Sequence, residues 1–344
     1  MLEIKRLEGD KFSFHFAEGN HEKKTIHLSK QPDKGREVRI LTTYEDTFEI
    51  EVPCDGFRPY FTVEEPQKIY VAAERTLPVD GMNNFRDMGG YETWDGYSVK
   101  WGKLYRSDHI HNATAEGLKY LRKLGIHTIV DYRSTDEIGK YPNGFISDDV
   151  NTYCLDPDAH TAELAAQFTS SKDNEDENLV KKIILEKEKG LLTDRYSIVM
   201  EQYHNFVHKD KSKEAFQKML KVASRPESAA MVQHCRGGKD RTGFGSMLLL
   251  GVLGVKQEYL VQDYMLTHYN RIKRNRVKMN IYKRYTDDSV VLEYLYSLID
   301  TKPEFILKSY ESIMEEYGSI EGYVQKELDF SAEEIKKIKE LYLE

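Results

Sequence analysis

One stretch of ten residues constrains this chain more than any other: His234-Cys235-Arg236-Gly237-Gly238-Lys239-Asp240-Arg241-Thr242-Gly243. It follows a short apolar run, Ala229-Ala230-Met231-Val232, of the kind that forms a buried strand. It precedes Phe244-Gly245-Ser246-Met247-Leu248-Leu249-Leu250-Gly251-Val252-Leu253, apolar on nearly every face, of the kind that forms a buried helix. A strand, a glycine-bearing loop and a helix N-terminus in this order suit a dianionic phosphate. The helix start leaves backbone N–H groups without partners, and its dipole adds positive potential. Gly237 and Gly238 let the loop curl so that successive amides turn inward. Arg241 brings a planar fork matched to two phosphate oxygens. Arg236, Gly237, Gly238, Lys239, Asp240 and Arg241 are therefore the expected phosphate-binding residues.

Cys235 stands at the start of this loop, in a field that favours the thiolate. A thiolate facing a bound phosphate is a nucleophile for phosphoryl transfer through a covalent intermediate. Thr242 is placed to donate its hydroxyl to that sulfur, and His234 precedes it as a supporting residue. A second strand, Ile126-His127-Thr128-Ile129-Val130, ends in Asp131-Tyr132-Arg133. Ser134 and Glu137 then have capping-box spacing, so a helix starts there. Asp131 and Cys235 thus both sit at carboxyl ends of predicted strands, where open α/β sheets place their sites. Asp131 is the candidate general acid, and Arg133 is a candidate for holding substrate. Asp240 is the rival acid; its alternative task is to hold Lys239 or Arg241 in place.

The motif His-Cys-x-x-Gly-Lys-Asp-Arg-Thr-Gly over residues 234–243 resembles the signature of the atypical bacterial tyrosine and dual-specificity phosphatases, whose members include enzymes acting on phosphoinositides. The resemblance extends to Asn84-Phe85-Arg86-Asp87-Met88-Gly89-Gly90, to Leu104-Tyr105-Arg106-Ser107-Asp108 and to Asp131-Tyr132-Arg133-Ser134, and covers roughly residues 80–344. It implies a cysteine phosphatase-like α/β domain with a mostly parallel central sheet flanked by helices. It also points to Asp131 as the acid. No metal or organic cofactor is expected, because loop amides and Arg241 take their place. Protein phosphotyrosine is the first expected substrate. A phosphoinositide is the alternative, because Lys239 and Asp240 make the loop more polar than phosphotyrosine requires. A catalytically silent phospho-binding module is the reading from a different class.

The rest of the chain sets limits. A net charge of −8 argues against non-specific binding of nucleic acid, so attraction for phosphate must be local. No apolar run is long enough for a membrane span, the first ten residues lack the apolar core of a signal peptide, and three cysteines form no even disulfide framework. A cytoplasmic location is the resulting expectation. Residues 1–76 carry six period-two segments, among them Phe12, Phe14 and Phe16, or Phe48, Ile50 and Val52. They predict a small all-β sandwich ahead of a catalytic domain at 77–344. Arg86 and Asp87 are expected to pair with each other. Residues 158–200 read as an insertion, with a polar stretch at 170–178 and an amphipathic helix from Leu179, that would serve as a lid or substrate-selecting flap, or alternatively is a surface excursion. A helix is expected over 259–269. The basic run Arg271, Lys273, Arg274, Arg276 and Lys278 after it reads as a solvated helix face, or alternatively as a rim attracting phosphorylated head groups.

Overall fold

Strand-forming and helix-forming segments separate along the chain. The computed structural model describes residues 2–17, 19–32, 38–54, 56–159, 174–192 and 195–344. Alternating apolar residues near the N-terminus build β1 (Leu2–Arg6), β2 (Lys11–Phe16), β3 (Lys24–Ser29), β4 (Val38–Thr43), β5 (Thr47–Glu51), β6 (Tyr60–Glu64) and β7 (Ile69–Ala73). They pair antiparallel as β1-β2-β5 and β4-β3-β6-β7. Side chains on a strand alternate between faces, so Phe12 and Phe14 of one sheet reach the same core as Ile26, Phe61 and Val63 of the other. Phe14 stands edge-on to Phe61 at 4.9 Å and stacks on Phe48 at 5.0 Å. The expected segments are all strands. β1 was not expected, because Leu2 and Ile4 give only two apolar positions between charged neighbours.

From residue 86 onward the elements are β8 (Arg86–Asp87), β9 (Leu104–Ser107), α1 (Ala115–Lys123), β10 (Thr128–Asp131), α2 (Thr135–Lys140), β11 (Asn151–Cys154), α3 (Glu175–Glu188), α4 (Arg195–His208), α5 (Asp210–Ala223), β12 (Met231–His234), α6 (Asp240–Val252), α7 (Gln257–Tyr282), α8 (Ser289–Ile299), α9 (Pro303–Tyr317), α10 (Ile320–Glu327) and α11 (Ala332–Tyr342). The sheet runs β11-β10-β12-β9-β8, parallel except for the short edge strand β8. β12 lies in its middle. α6 is buried on all sides, with Phe244, Met247, Leu248, Leu249 and Leu250 in one core with Phe206, Phe216 and Tyr323. That environment explains why its sequence shows no polar face.

α7 runs 26 residues, well past the expected 269. α3 packs Leu179, Val180 and Ile183 against Tyr282, Val291 and Leu295. Residues 160–173 and 193–194, which include the first part of the polar stretch, lie outside the described residues, and so does that part of the expected lid. Among the described residues no helix is long and apolar enough to cross a membrane.

Arg86 and Asp87 do not pair with each other. Adjacent strand residues point to opposite faces, and each finds a distant partner. Arg86 binds Asp263, its Nε donating at 3.0 Å. Asp87 accepts from Arg58 Nη1 at 2.5 Å and from the backbone N–H groups of Gly89 and Gly102. Arg58 precedes β6 and also donates to the Glu74 carbonyl at 3.0 Å and to Tyr105 Oη at 3.3 Å. This buried pair ties the N-terminal sheets to the first segment of the parallel sheet. Replacing Arg58 with Met leaves Asp87 buried without a counter-charge, and is expected to cost about 3–5 kcal/mol in urea unfolding; a loss under about 1 kcal/mol would contradict the assigned role.

Candidate active site

The parallel sheet delivers the chemistry-bearing residues to one edge. β12 ends at His234, paired in register with Asp131 of β10 on one side and Ser107 of β9 on the other. The chain then turns through Cys235–Lys239 into α6. Gly238 makes this turn at φ +64°, and a Cβ there would stand 2.4 Å from the Ser107 carbonyl oxygen. Only glycine combines that backbone conformation with so close an approach. Cys235, at the first loop position, is 3% exposed.

Arg241 sits in the first turn of α6 and is buried. Its Nη1 and Nη2 donate to the two oxygens of Glu137 at 2.6 and 3.0 Å, and Nη1 also donates to the Tyr132 carbonyl at 3.0 Å. Glu137 thus takes the end of the guanidinium fork. The lateral edge, Nε–H with the second hydrogen of Nη2, stays open; Nε is buried and has no partner among the described residues. A planar guanidinium gripped from one side offers the other edge to two oxygens of a ligand. Burial opposes ionisation of Glu137, but the hydrogen bonds and charge of Arg241 outweigh it and hold the carboxyl below its usual range. Glu137 is also the capping-box residue of α2, accepting from the Ser134 N–H at 3.0 Å. The sequence pattern revealed the cap and not the second task.

A network of long-range polar contacts holds the loop. Arg106 Nη2 donates to the Gly238 carbonyl at 2.8 Å, and Asn84 Nδ2 donates to the same oxygen at 3.2 Å. Arg106 and Arg86 both donate to Asp263 of α7, at 2.6 and 3.0 Å, and Arg86 Nη1 donates to Asn84 Oδ1 at 2.5 Å. Asp263 is accordingly held far below the ordinary carboxylate range, the two arginines overcoming its burial. Asn84, Arg106 and Asp263 were not among the expected site residues. The segments 84–90 and 104–108 resembled the family, but nothing in their spacing pointed to the loop.

Asp131 is 1% exposed. Arg133 donates to it from Nε at 2.9 Å, from Nη2 at 2.6 Å and from its backbone N–H at 3.1 Å, and Asn143 Nδ2 donates at 3.1 Å. His234 Nε2 lies 3.4 Å away. Burial would raise the Asp131 pKa, but the neighbouring His234 and the hydrogen bonds and charge of Arg133 bring it below its usual value. This engagement argues against the proton-donor role expected of it. Arg133 is equally occupied, donating also to the Tyr141 carbonyl and to Asn143 Oδ1, which argues against its holding substrate. Together they order the loop after α2.

Asp240 opens α6 with a partly exposed side chain. Its Oδ1 accepts from Tyr203 Oη at 2.8 Å. Lys239 donates to the Asp300 carbonyl at 2.8 Å, and its Nζ also lies 3.6 Å from Asp240 Oδ1, as expected if Asp240 helps to hold it. Arg236 lies over the Tyr141 ring at 5.6 Å. Thr242 Oγ1 is buried with no hydrogen-bond partner among the described residues, so the expected bond to the Cys235 sulfur is not formed. The basic run is split by the helical period: Lys273 and Arg276 are exposed, Arg274 is half-buried, and Arg271 is buried against the loop.

Buried imidazoles link this region to pH. Burial, helped by Arg133, pushes the His234 pKa down to about 4, and the same causes push His109 down to about 3. In the unfolded chain each binds a proton below about 6.5. The unfolded state therefore takes up more protons, and stability falls as pH drops from about 6.5 towards about 4. The thermal midpoint is expected to decline across that window, and His109→Asn to flatten the slope by about 1.4 kcal/mol per pH unit. A midpoint unchanged down to about pH 4 would rule this out.

The chain is 26% identical over 274 residues to a triple specificity protein phosphatase, PtpB, of Mycobacterium tuberculosis, covering 74% of this chain and 93% of that protein. It is 24% identical over 279 residues to a protein named as a tyrosine-protein phosphatase in Cupriavidus necator, covering 79% of this chain and 91% of that protein. The model of the tyrosine phosphatase family matches residues 77–344, from just after β7 to the C-terminus, so the chain belongs to the tyrosine phosphatase family and is a protein-tyrosine-phosphatase-type phosphoric monoester hydrolase.

Proposed function

We propose that the enzyme hydrolyses phosphotyrosyl and related phosphate monoesters through a phosphocysteine at Cys235, with Asp240 as the acid and base. The observation that carries this reading is Arg241, clamped at its fork end by Glu137 with its lateral edge open beside the cysteine loop. In the first step the Cys235 thiolate forms a bond to phosphorus while the bond to the leaving oxygen breaks. Asp240 supplies the proton that the leaving oxygen takes up. In the second step a water attacks the phosphocysteine, gives its proton to Asp240, and the S–P bond breaks to restore the thiolate and release phosphate. Arg241 and the loop amides hold the equatorial oxygens throughout, an electrostatic contribution preorganised by the fold.

Asp240 is preferred to Asp131 on access. Its side chain is 21% exposed, whereas that of Asp131 is 1% exposed and surrounded by donors. Tyr203 and Tyr264, whose hydroxyls are 2.6 Å apart, give Asp240 a fixed orientation. Residues 1–76 are read as an accessory domain that abuts the catalytic one through Arg58.

Phosphate release from an aryl phosphate and from a phosphotyrosine peptide, with chelator present, tests the reading. Cys235→Ser is expected to abolish turnover of both. Asp240→Asn is expected to lose about 10²–10⁴-fold in kcat and the alkaline limb of the pH–rate profile. Asp131→Asn is expected to keep that limb; if the limb disappears there and persists in Asp240→Asn, the acid is Asp131. Glu137→Gln leaves Arg241 without its ionic clamp, and kcat/KM is expected to fall about tenfold or more; unchanged kcat/KM would remove Glu137 from the catalytic apparatus.

A further inference from the structure

Asp240 is held at one of its two oxygens. Oδ1 accepts from Tyr203 Oη at 2.8 Å, and Lys239 Nζ lies 3.6 Å from the same atom. Among the described residues nothing hydrogen-bonds to Oδ2, and the side chain is 21% exposed. Tyr203 Oη in turn lies 2.6 Å from Tyr264 Oη, whose hydroxyl has no other hydrogen-bond partner among the described residues. Both tyrosines are buried. The Tyr203 ring lies against Phe305 at 5.9 Å and edge-on to Phe206 at 5.4 Å, and its backbone carbonyl accepts from Ser309 Oγ. Tyr264 lies against the first turn of α6, where a Cβ on Gly243 would stand 2.9 Å from two of its ring carbons. That contact gives the last glycine of the motif a reason to be glycine.

The direction of this chain of hydroxyls follows from counting protons. A tyrosine has one O–H to donate and an oxygen that also accepts. An ionised Asp240 can only accept, so the Tyr203 proton points to Oδ1 and the Tyr264 proton points to the Tyr203 oxygen. Burial and the charge of Asp240 push both phenols far above their ordinary range, so neither gives up its proton. When Asp240 itself is protonated, the proton has two places to go. On Oδ2 it leaves the chain of hydroxyls as it is. On Oδ1 it forces both phenols to turn round, and the Tyr264 proton is then buried with no acceptor among the described residues. A buried donor left unsatisfied is costly. The proton therefore settles on Oδ2, the oxygen turned to no protein group.

We propose that Tyr203 and Tyr264 are positioning residues that act through Asp240: by occupying Oδ1 they confine the transferable proton to Oδ2, and they stabilise the carboxylate that remains once the leaving oxygen has taken that proton. This rests on the reading of Asp240 as the acid. The titratable and charged groups facing Asp240 are Tyr203 of α4, Tyr264 and Arg271 of α7, and Lys239 of the loop. Among the described residues Tyr203 alone of these hydrogen-bonds to it.

The test records kcat/KM against pH for the full chain, with chelator, on phenyl phosphate and on nitrophenyl phosphate. A hydrogen bond donated to a carboxylate favours its charged form, so Tyr203→Phe is expected to move the alkaline limb up by about one pH unit. The same variant is expected to lose more kcat/KM on phenyl phosphate, whose leaving oxygen needs the proton, than on nitrophenyl phosphate, whose leaving group is stable as an anion. Tyr264→Phe is expected to move the limb the same way by less, because Tyr264 only strengthens the Tyr203 hydroxyl as a donor. The double variant is expected to match Tyr203→Phe, since Tyr264 reaches Asp240 only through Tyr203. An unmoved limb in Tyr203→Phe, with the limb lost in Asp240→Asn, overturns the role of the hydroxyls and leaves Asp240 as the acid. So does a loss in Tyr203→Phe that is equal on both substrates and at every pH, which is what a structural role alone gives, or a double variant whose shift is the sum of the two single ones. Should Tyr203→Phe fail to fold, Tyr264→Phe decides by whether its limb moves. A limb lost in Asp131→Asn and kept in Asp240→Asn would instead overturn the assignment of the acid, and the role of the hydroxyls with it.

Discussion

The site depends on one buried carboxylate, Asp263. It lies on α7, 177 and 157 positions along the chain from Arg86 and Arg106, and neutralises both together. Arg106 and Asn84 hold the Gly238 carbonyl, and Arg86 holds Asn84. Two guanidinium groups beside each other repel: burial and Arg106 push the Arg86 pKa down to about 10. Without Asp263 they could not share this space. The loop is thus shaped from outside by a polar scaffold drawn from β8, β9 and α7, and the helix dipole and amides act on a geometry already fixed.

The same arrangement reconciles the proposed anion site with a net charge of −8. Charge is organised by depth. Arg58, Arg86, Arg106, Arg133 and Arg241 are all nearly inaccessible, and each is matched to a carboxylate that holds its orientation. At low effective dielectric these pairs act strongly over short distances and contribute little to the far field. Any attraction of the proposed site for phosphate is therefore local.

Much of this was legible in the sequence, and the reason is locality. The strand–loop–helix around Cys235, the period-two strands of the first 76 residues, and the capping box at Ser134 are all written within a few neighbouring residues. What was not legible is pairing across the chain. Arg86 and Asp87 look like natural partners by adjacency, but the pleat sends them apart. Glu137 announced itself as a cap and concealed its hold on Arg241, 104 positions away. Arg271 looked like one more charge in a basic run, because helical phase alone cannot say which side of α7 meets the loop. The polarity of its buried face, Asp263-Thr267-Arg271-Asn275, was the available signal.

The double duty of Glu137 has a consequence for heat and solvent. α2 has only six residues, too few to persist without tertiary support. The carboxylate that closes its first turn is also the anchor of Arg241, the arginine proposed to bind phosphate. Fraying of this turn and release of Arg241 are thus one event. The catalytic geometry is only as durable as a single helical turn near the sheet edge, and local opening there requires far less than global unfolding. On the proposed reading, activity in this enzyme is a reporter of α2, and whatever tightens that turn also tightens the hold on Arg241.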